Sequence, residues 1–368
     1  MLEKFDRTWN TNLNVRPNFW FGKKVLITGH SGFKGKWLSK TLKCLGATIF
    51  GISRRESHDS NGDSDFSKTD FSSDLDLELR GDLSDSDLLR KLGPDYAPEI
   101  VFHLAAQSIV RVGYEQPFRT FRDNFMTTLN LLEGCRKMPS VRSIVIVTTD
   151  RVYKNSDWFW PYRESDELGG YDPYSASKAT VELLTRSYES SYFRPQHVGV
   201  GTARAGNVIG GGDAAVDRLV PDLVRSWTSR STLTIRNPGY VRPWQHVLEA
   251  LNGYLMLGQS LYETPEISGA YNFGPSTSDC ISVEHLCELF KKYFALNVVF
   301  EINPGSLKEK RALLLDSSKS ATVLGYKPKL NVESAVSWTA NWYLQRVDGR
   351  SCEELVKNDI EEYFGLDK

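Results

Sequence analysis

Tyr174 and Lys178 stand four residues apart in the stretch Tyr174-Ser175-Ala176-Ser177-Lys178. On a helix that spacing puts both side chains on one face. An ammonium beside a phenol lowers its pKa, so the tyrosine can take a proton from a sugar hydroxyl while hydride leaves the carbon. A Tyr and a Lys at this spacing are common by chance, and their position gives the pair its meaning. Thr148-Thr149-Asp150-Arg151 closes the preceding apolar run, at the carboxyl edge where open α/β sheets bind ligands. A Thr149 hydroxyl there can share a substrate oxygen with Tyr174.

A second cluster is Gly29-His30-Ser31-Gly32-Phe33-Lys34-Gly35. Its glycines recur every three residues, after an apolar β-rich run and before a helical pattern, which is the context a dinucleotide-binding turn requires. Gly29 permits the tight turn, Gly32 lets the backbone approach a pyrophosphate, and Gly35 lets the helix pack close to the sheet. The helix N-terminus then offers N–H donors and a positive dipole end to the phosphates. The plainer alternative is a Gly-rich structural turn. The next strand ends in Ser53-Arg54-Arg55, where a carboxylate usually selects the ribose 2′-hydroxyl of NAD and an Arg accommodates the 2′-phosphate of NADP. Two guanidiniums and a hydroxyl favour NADP, with NAD as the alternative.

Positioning these groups requires alternating strands and helices. Strands are expected at Lys24–Thr28, Thr48–Ile52, Leu77–Arg80, Glu99–Leu104, Ser143–Thr148 and Val198–Ala203, and helices at about 35–45, 116–138 and 175–192. The fold class is α/β: a doubly wound parallel sheet with a smaller mixed α/β C-terminal lobe. Residues 1–22 read as an arm laid over the domain. Residues 23–205 read as the dinucleotide-binding domain carrying the catalytic groups. Residues 206–368 read as mainly the substrate lobe, interleaved with the end of the sheet through short strands such as Leu233–Ile235 and Ala270–Phe273. The Ser- and Asp-rich stretch from Ser57 to Asp76 reads as a solvated loop with solubilising acids.

The 368 residues carry 45 Lys+Arg against 46 Asp+Glu, a formal net charge of -1. Such a chain has no global field for wrapping nucleic acid or coating an anionic membrane, so an anionic ligand must be met by a local site. The five cysteines are scattered and form no C-x-x-C pair, and the six histidines lie far apart. A disulfide framework or metal site is not expected, and a reducing, cytoplasmic setting is. Neither a secretory signal nor a membrane-length apolar run is visible.

Several stretches together resemble the extended short-chain dehydrogenases/reductases and, within them, the nucleotide-sugar 4,6-dehydratases, most of all the CDP-glucose 4,6-dehydratase family. They are TGHSGFKGKWL at 28–38, EIVFHLAAQ at 99–107, GGYDPYSASK at 169–178, RAGNVIGGGD at 204–213 and RPWQHVLE at 242–249. The resemblance implies a Rossmann fold and a cofactor-neutral cycle. Hydride leaves sugar C4 as Tyr174 takes the O4 proton, water is lost across C5 and C6, and hydride returns to C6. It implies that Asp150 is the acid that protonates the departing O6. Asp82, Leu83 and Ala105 fall on the cofactor side, with Asp82 as the adenine contact. Gln107, Asn207 and Asn272 fall near the sugar-diphosphate, and Arg242 would clamp the diphosphate with its planar fork, with Arg218 and Arg236 as further candidates. Asn124 would support the active-site backbone, and His30 and His103 would be structural or cofactor-adjacent. A homodimer or higher homo-oligomer is implied through the 116–138 and 175–192 helices.

One position departs from the family. Where it has Lys or Glu as the C5 base, this chain has Arg151, which stays protonated and is a poor base. Another group, Lys154 or Glu164 being near in sequence, would take that proton, or Arg151 would only stabilise an enolate. Two other readings stay open on this ground: an NADP-dependent nucleotide-sugar epimerase or reductase, and a cofactor-binding regulatory or scaffold protein without turnover.

Overall fold

Val25 and Ile27 face one side of a sheet and Leu26 the other, and all three are fully buried, as a strand covered on both faces requires. In the computed structural model, which describes residues 15–54, 72–89, 97–156, 158, 160–301 and 311–366, they belong to strand β1, Lys24–Thr28. The sheet continues with β2 (Thr48–Ser53), β3 (Leu77–Arg80), β4 (Ile100–His103), β5 (Ser143–Val147), β6 (Gly199–Ala205) and β7 (Gly269–Phe273). All seven pair in parallel, in the order β7-β6-β5-β4-β1-β2-β3. The chain winds outward from β1 to β3, then crosses back to β4 on the other side of β1. The carboxyl ends of β1 and β4 therefore flank a topological switch point, where a crevice opens.

Helices cover both faces. Helix α1, Phe33–Cys44, turns Trp37, Leu38 and Leu42 onto Val25 and Ile27. Helix α2, Pro173–Tyr188, starts two residues earlier than its periodicity predicts, because Pro173 sits at its first position and the Asp172 carboxylate accepts from the Ser175 N–H at 2.9 Å. The helix expected over 116–138 is built in three pieces, Pro117–Phe121, a π-helical turn Arg122–Met126 and Thr127–Cys135. That turn buries Asp123 and Asn124. Helix α3, Val247–Glu263, is buried along nearly its whole length.

The segment after residue 206 returns to the sheet as β7, so both lobes share one apolar core in which Trp342, Tyr343 and Val336 join Trp37 and Ile27. Of the expected N-terminal arm, residues 1–14 lie outside the described residues, and Pro17–Trp20 forms a short helix that buries Trp20 against Phe102. Most of the Ser/Asp-rich loop also lies outside them. Its end corrects the expectation of purely solubilising acids: Asp74 is buried with Lys40 at 2.9 Å, and Asp76 accepts from the Ile49 N–H at 2.8 Å.

Candidate active site

The crevice widens into a cleft of about 980 Å³ whose walls come from the β-strand ends, the Gly-rich turn and the second lobe. Gly29 adopts φ +73°, and a Cβ there would lie 2.7 Å from the Ala105 N of the neighbouring strand exit. A Cβ on Gly35 would stand 2.2 Å from the Gly29 carbonyl oxygen, so only glycine lets α1 start this close to the turn. Gly29, Ser31, Gly32, Phe33, Gly35, Ser53, Arg54, Leu83 and Ala105 all line the cleft. The donors at the start of α1 and the space above Gly32 fit a dinucleotide pyrophosphate.

At the outer end of this turn, Arg54 reaches Asp123 at 2.9 Å and Asp82 at 3.5 Å. Arg80 donates to the Ser53 hydroxyl at 2.9 Å and pairs with Glu78 at 2.6 Å, and Glu78 contacts His30 at 2.7 Å. Burial works against the Asp82 carboxylate, but the Ser84 hydrogen bond and the Arg54 guanidinium outweigh it and hold that carboxyl below its ordinary range. Asp82 flanks the cleft beside Gly81 and Leu83. Arg55 lies outside the described residues.

The catalytic candidates meet at the end of β5. Thr149 precedes the short 3₁₀ turn Asp150–Val152, and its hydroxyl donates to Asp150 Oδ1 at 3.0 Å. Tyr174, in the first turn of α2, is hydrogen-bonded to Thr149. One turn on, Lys178 Nζ donates to the Val147 carbonyl at 3.1 Å, which straps α2 to the strand that presents Thr149 and Asp150. Tyr174, Asp150 and Lys178 are buried, and they line the cleft together with Thr149 and Arg151. Burial pushes the Lys178 ammonium down to about 8, against the pull of Glu182. The expected lowering of the Tyr174 phenol is not what the geometry gives. Burial raises it, the Thr149 hydrogen bond opposes, and the nearby Asp150 charge adds to the rise.

Supports lie behind these groups. Glu182 is buried on α2 and accepts from Thr148 at 2.5 Å, Thr202 at 2.7 Å and Arg204 at 3.0 and 2.8 Å, an ion pair sealed between helix and sheet. Asn124 Nδ2 donates to Ser177 of α2 at 2.8 Å while its Oδ1 accepts from the Gln107 N–H at 2.8 Å. His103 is buried between the Thr28 and Thr128 hydroxyls, and burial drops its pKa to about 3, so it is neutral.

Toward the second lobe, Asn207, Arg218, Arg236 and Arg242 line the cleft. Arg242 is buried over the Tyr240 ring and donates to the Val241 carbonyl at 2.9 Å. Arg218 pairs with Asp213 at 2.9 Å. Two residues assigned to the sugar-diphosphate point elsewhere. Asn272 is buried off the cleft, its amide held by Tyr153 Oη and the carbonyls of Tyr162 and Asp316. Gln107 staples its own loop through Ile109 and Thr120. Neither alternative to Arg151 reaches the cleft: Lys154 pairs with Glu167 on the surface, and Glu164 binds the Asn272 N–H at 2.7 Å. One cleft group, Lys34, and its buried partner Tyr254 have no role in the sequence reading. Lys34, inside the Gly-rich turn, extends to Tyr254 of α3 with Nζ–Oη 3.2 Å. The turn was read for its glycines, and no local pattern joins residues 34 and 254. Among the described residues no cluster of His, Cys, Asp and Glu could hold a metal ion, and no helix is long and apolar enough to cross a membrane.

Residues 26–339 match the family model described as GDP-mannose 4,6 dehydratase. A CDP-glucose 4,6-dehydratase of Salmonella typhimurium is 39% identical over 357 residues, covering 95% of this chain and 98% of that protein. A dTDP-glucose 4,6-dehydratase of Xanthomonas campestris pv. campestris is 26% identical over 289 residues, covering 72% and 78%. Among solved structures, MoeE5 in complex with UDP-glucuronic acid and NAD superposes with a TM-score of 0.74 at 22% identity, over 88% of this chain and 99% of that one. A dTDP-glucose 4,6-dehydratase from Bacillus anthracis in complex with NAD gives 0.71 at 19%, over 89% and 98%. At such identities these superpositions establish the fold.

Proposed function

Since the chain belongs to the GDP-mannose 4,6 dehydratase family and is a nucleotide-sugar 4,6-dehydratase of the short-chain dehydrogenase/reductase superfamily, we propose that it converts CDP-glucose to CDP-4-keto-6-deoxyglucose. One observation carries this reading: Tyr174, Thr149 and Asp150 converge in the same cleft as the Gly29–Gly35 turn. The cradle that a Gly35 Cβ would fill suits a nicotinamide dinucleotide, held by the turn, Ser53 and Arg54. When bound there, that group supplies reversible hydride acceptance between sugar C4 and C6.

The chain's own residues manage protons and charge. Tyr174, with Thr149 beside it, receives the O4 proton as the C4 ketone forms. The ketone acidifies the C5 proton, and Asp150 delivers a proton to the departing O6. Lys178 holds α2 on β5 through the Val147 carbonyl. Arg242, with Arg218 and Arg236, meets the diphosphate. Burial of Tyr174, Thr149, Asp150, Lys178 and Arg242 strengthens their interactions by excluding water.

NADP is the proposed dinucleotide, supported by the Arg80 guanidinium at the Ser53 hydroxyl and by Arg54 on the cleft wall. Denaturing the purified protein and identifying the released dinucleotide tests this, and NAD alone would overturn it. A homodimer is proposed from the apolar side chains that two helical runs expose, Phe118 and Phe121 on one and Leu183 and Tyr192 on the other. Sedimentation showing only a 41.7 kDa species would contradict it. Cytoplasmic residence belongs to the same reading, supported by five free thiols. The central test is CDP-glucose with purified holoenzyme and no added reductant: the product should be lighter by one water. Stoichiometric consumption of reduced dinucleotide on a keto-sugar would instead identify a reductase, and a product of unchanged mass without net consumption an epimerase.

A further inference from the structure

The elimination needs a base at C5, and Arg151 cannot provide one, because a guanidinium stays protonated. Lys34 lines the same cleft from the first turn of α1. Its Nζ donates to Tyr254 Oη at 3.2 Å and lies 5.7 Å from the centre of that ring. Tyr254 is fully buried on α3 and lies within electrostatic reach of both Tyr174 and Asp150. A second Lys–Tyr pair therefore lies within electrostatic reach of Tyr174, Lys178 and Asp150.

The charged groups around Lys34 come from every wall. Arg218 and Lys178 oppose its ammonium, and Asp150 and Asp213 favour it. Burial is the largest influence, and the result is a pKa of about 8. On the order of a tenth of such amines are free near pH 7, which suits proton abstraction under physiological conditions.

We propose that Lys34 is the group that takes the C5 proton during dehydration. The proposal rests on the dehydratase reading above. In the step, the C5–H electron pair moves into the C4–C5 bond as the 4-ketone becomes an enolate, and the proton passes to Lys34 Nζ. The enolate collapses to a C5=C6 double bond, the C6–O6 bond breaks, and O6 leaves as water with the proton from Asp150. Nothing is oxidised or reduced in this step; the preceding oxidation at C4 draws on the nicotinamide dinucleotide.

The test compares wild-type holoenzyme with Lys34→Arg and Lys34→Met. CDP-glucose is added in D₂O, and the readouts are deuterium in the sugar, absorbance of reduced dinucleotide, and bound dinucleotide released on denaturation. Both Lys34 variants should retain the dinucleotide, build up its reduced form on substrate addition, and lose dehydration by at least ~100-fold. Turnover by Lys34→Arg within tenfold of wild type overturns the proposal, as does loss of bound dinucleotide in both Lys34 variants, which would make Lys34 a phosphate ligand. A measurement on the wild type alone adds to this: the pH dependence of Lys34 acetylation, mapped by mass spectrometry. A midpoint near 8 supports the proposal, and the ordinary lysine value of 10.5 overturns it. Absence of dehydrated product from wild type would sink the dehydratase reading itself, whereas product from wild type and Lys34→Arg alike sinks only the assignment of the base.

Discussion

Glu182→Gln is a small change with a large expected effect. The carboxylate is sealed with Arg204, each about 3% exposed in its side chain, and its two oxygens accept from Thr148, Thr202 and two Arg204 nitrogens. An amide of the same size turns an NH₂ toward those donors and leaves the guanidinium buried without its counter-charge. Breaking such a pair from one side costs about 3–5 kcal/mol. That is a large part of the ~5–15 kcal/mol by which domains are usually stable. At roughly 2 °C per kcal/mol for a chain of this size, the melting temperature should fall by about 6–10 °C. Urea unfolding and calorimetry at fixed dinucleotide concentration measure both quantities. Replacing both partners, Glu182→Leu with Arg204→Met, should recover most of the loss, because no charge is then stranded. A loss below about 1 kcal/mol for Glu182→Gln would refute the claim that the pair is desolvated and mutually dependent. Catalysis gives a second readout, since Glu182 opposes the burial that depresses the Lys178 ammonium. Its removal should lower that pKa further.

Tyr174→Phe should reduce kcat by ~10²–10⁴-fold and leave dinucleotide content unchanged, as single-turnover assays and release on denaturation would show. Gly35→Ala drives a Cβ to 2.2 Å from the Gly29 oxygen and should abolish dinucleotide retention, which fluorescence or release assays check. Arg54→Gln should weaken NADP by at least ~10-fold relative to NAD in competition titrations if its guanidinium meets a 2′-phosphate. Acid stability offers a fourth test. Burial depresses His103 and His246 to about 3, below the ordinary 6.5, so the unfolded chain binds protons the native one refuses. Their contribution is complete above pH 6.5 and is lost as pH falls toward 3, at up to about 1.4 kcal/mol per pH unit for each. His246→Asn keeps an N-cap for α3 and should flatten that slope in urea titrations between pH 6.5 and 4.5.

Much of this site could be read from the chain because its signals are local. The Gly29–Gly35 turn, the Tyr174/Lys178 spacing and the Thr149-Asp150 strand end each fit within a few residues, and periodicity placed the strands around them. What stayed hidden depends on contacts between distant segments. Asn272, within the expected strand Ala270–Phe273, reads through the resemblance as a sugar-diphosphate contact, yet Tyr153, Tyr162 and Asp316 fix its amide away from the cleft. Gln107 reads as the end of a motif, and its loop folds back on it. The rise in the Tyr174 pKa comes from burial, which no i, i+4 rule contains. Lys34 stood in full view within the turn, but its partner Tyr254 is supplied by α3 from the other lobe.

Because β7 enters the sheet from the second lobe and α3 brings Tyr254 to Lys34, the lobes are not separable cassettes. A crossover placed after Gly206 would exchange the Gly269–Phe273 ladder against β6 and the partner of Lys34 along with the cleft-lining arginines. Grafting another lobe would therefore disturb the sheet and the Lys34–Tyr254 contact at once. Point replacement around Arg218, Arg236 and Arg242 alters the cleft wall while the shared core stays intact.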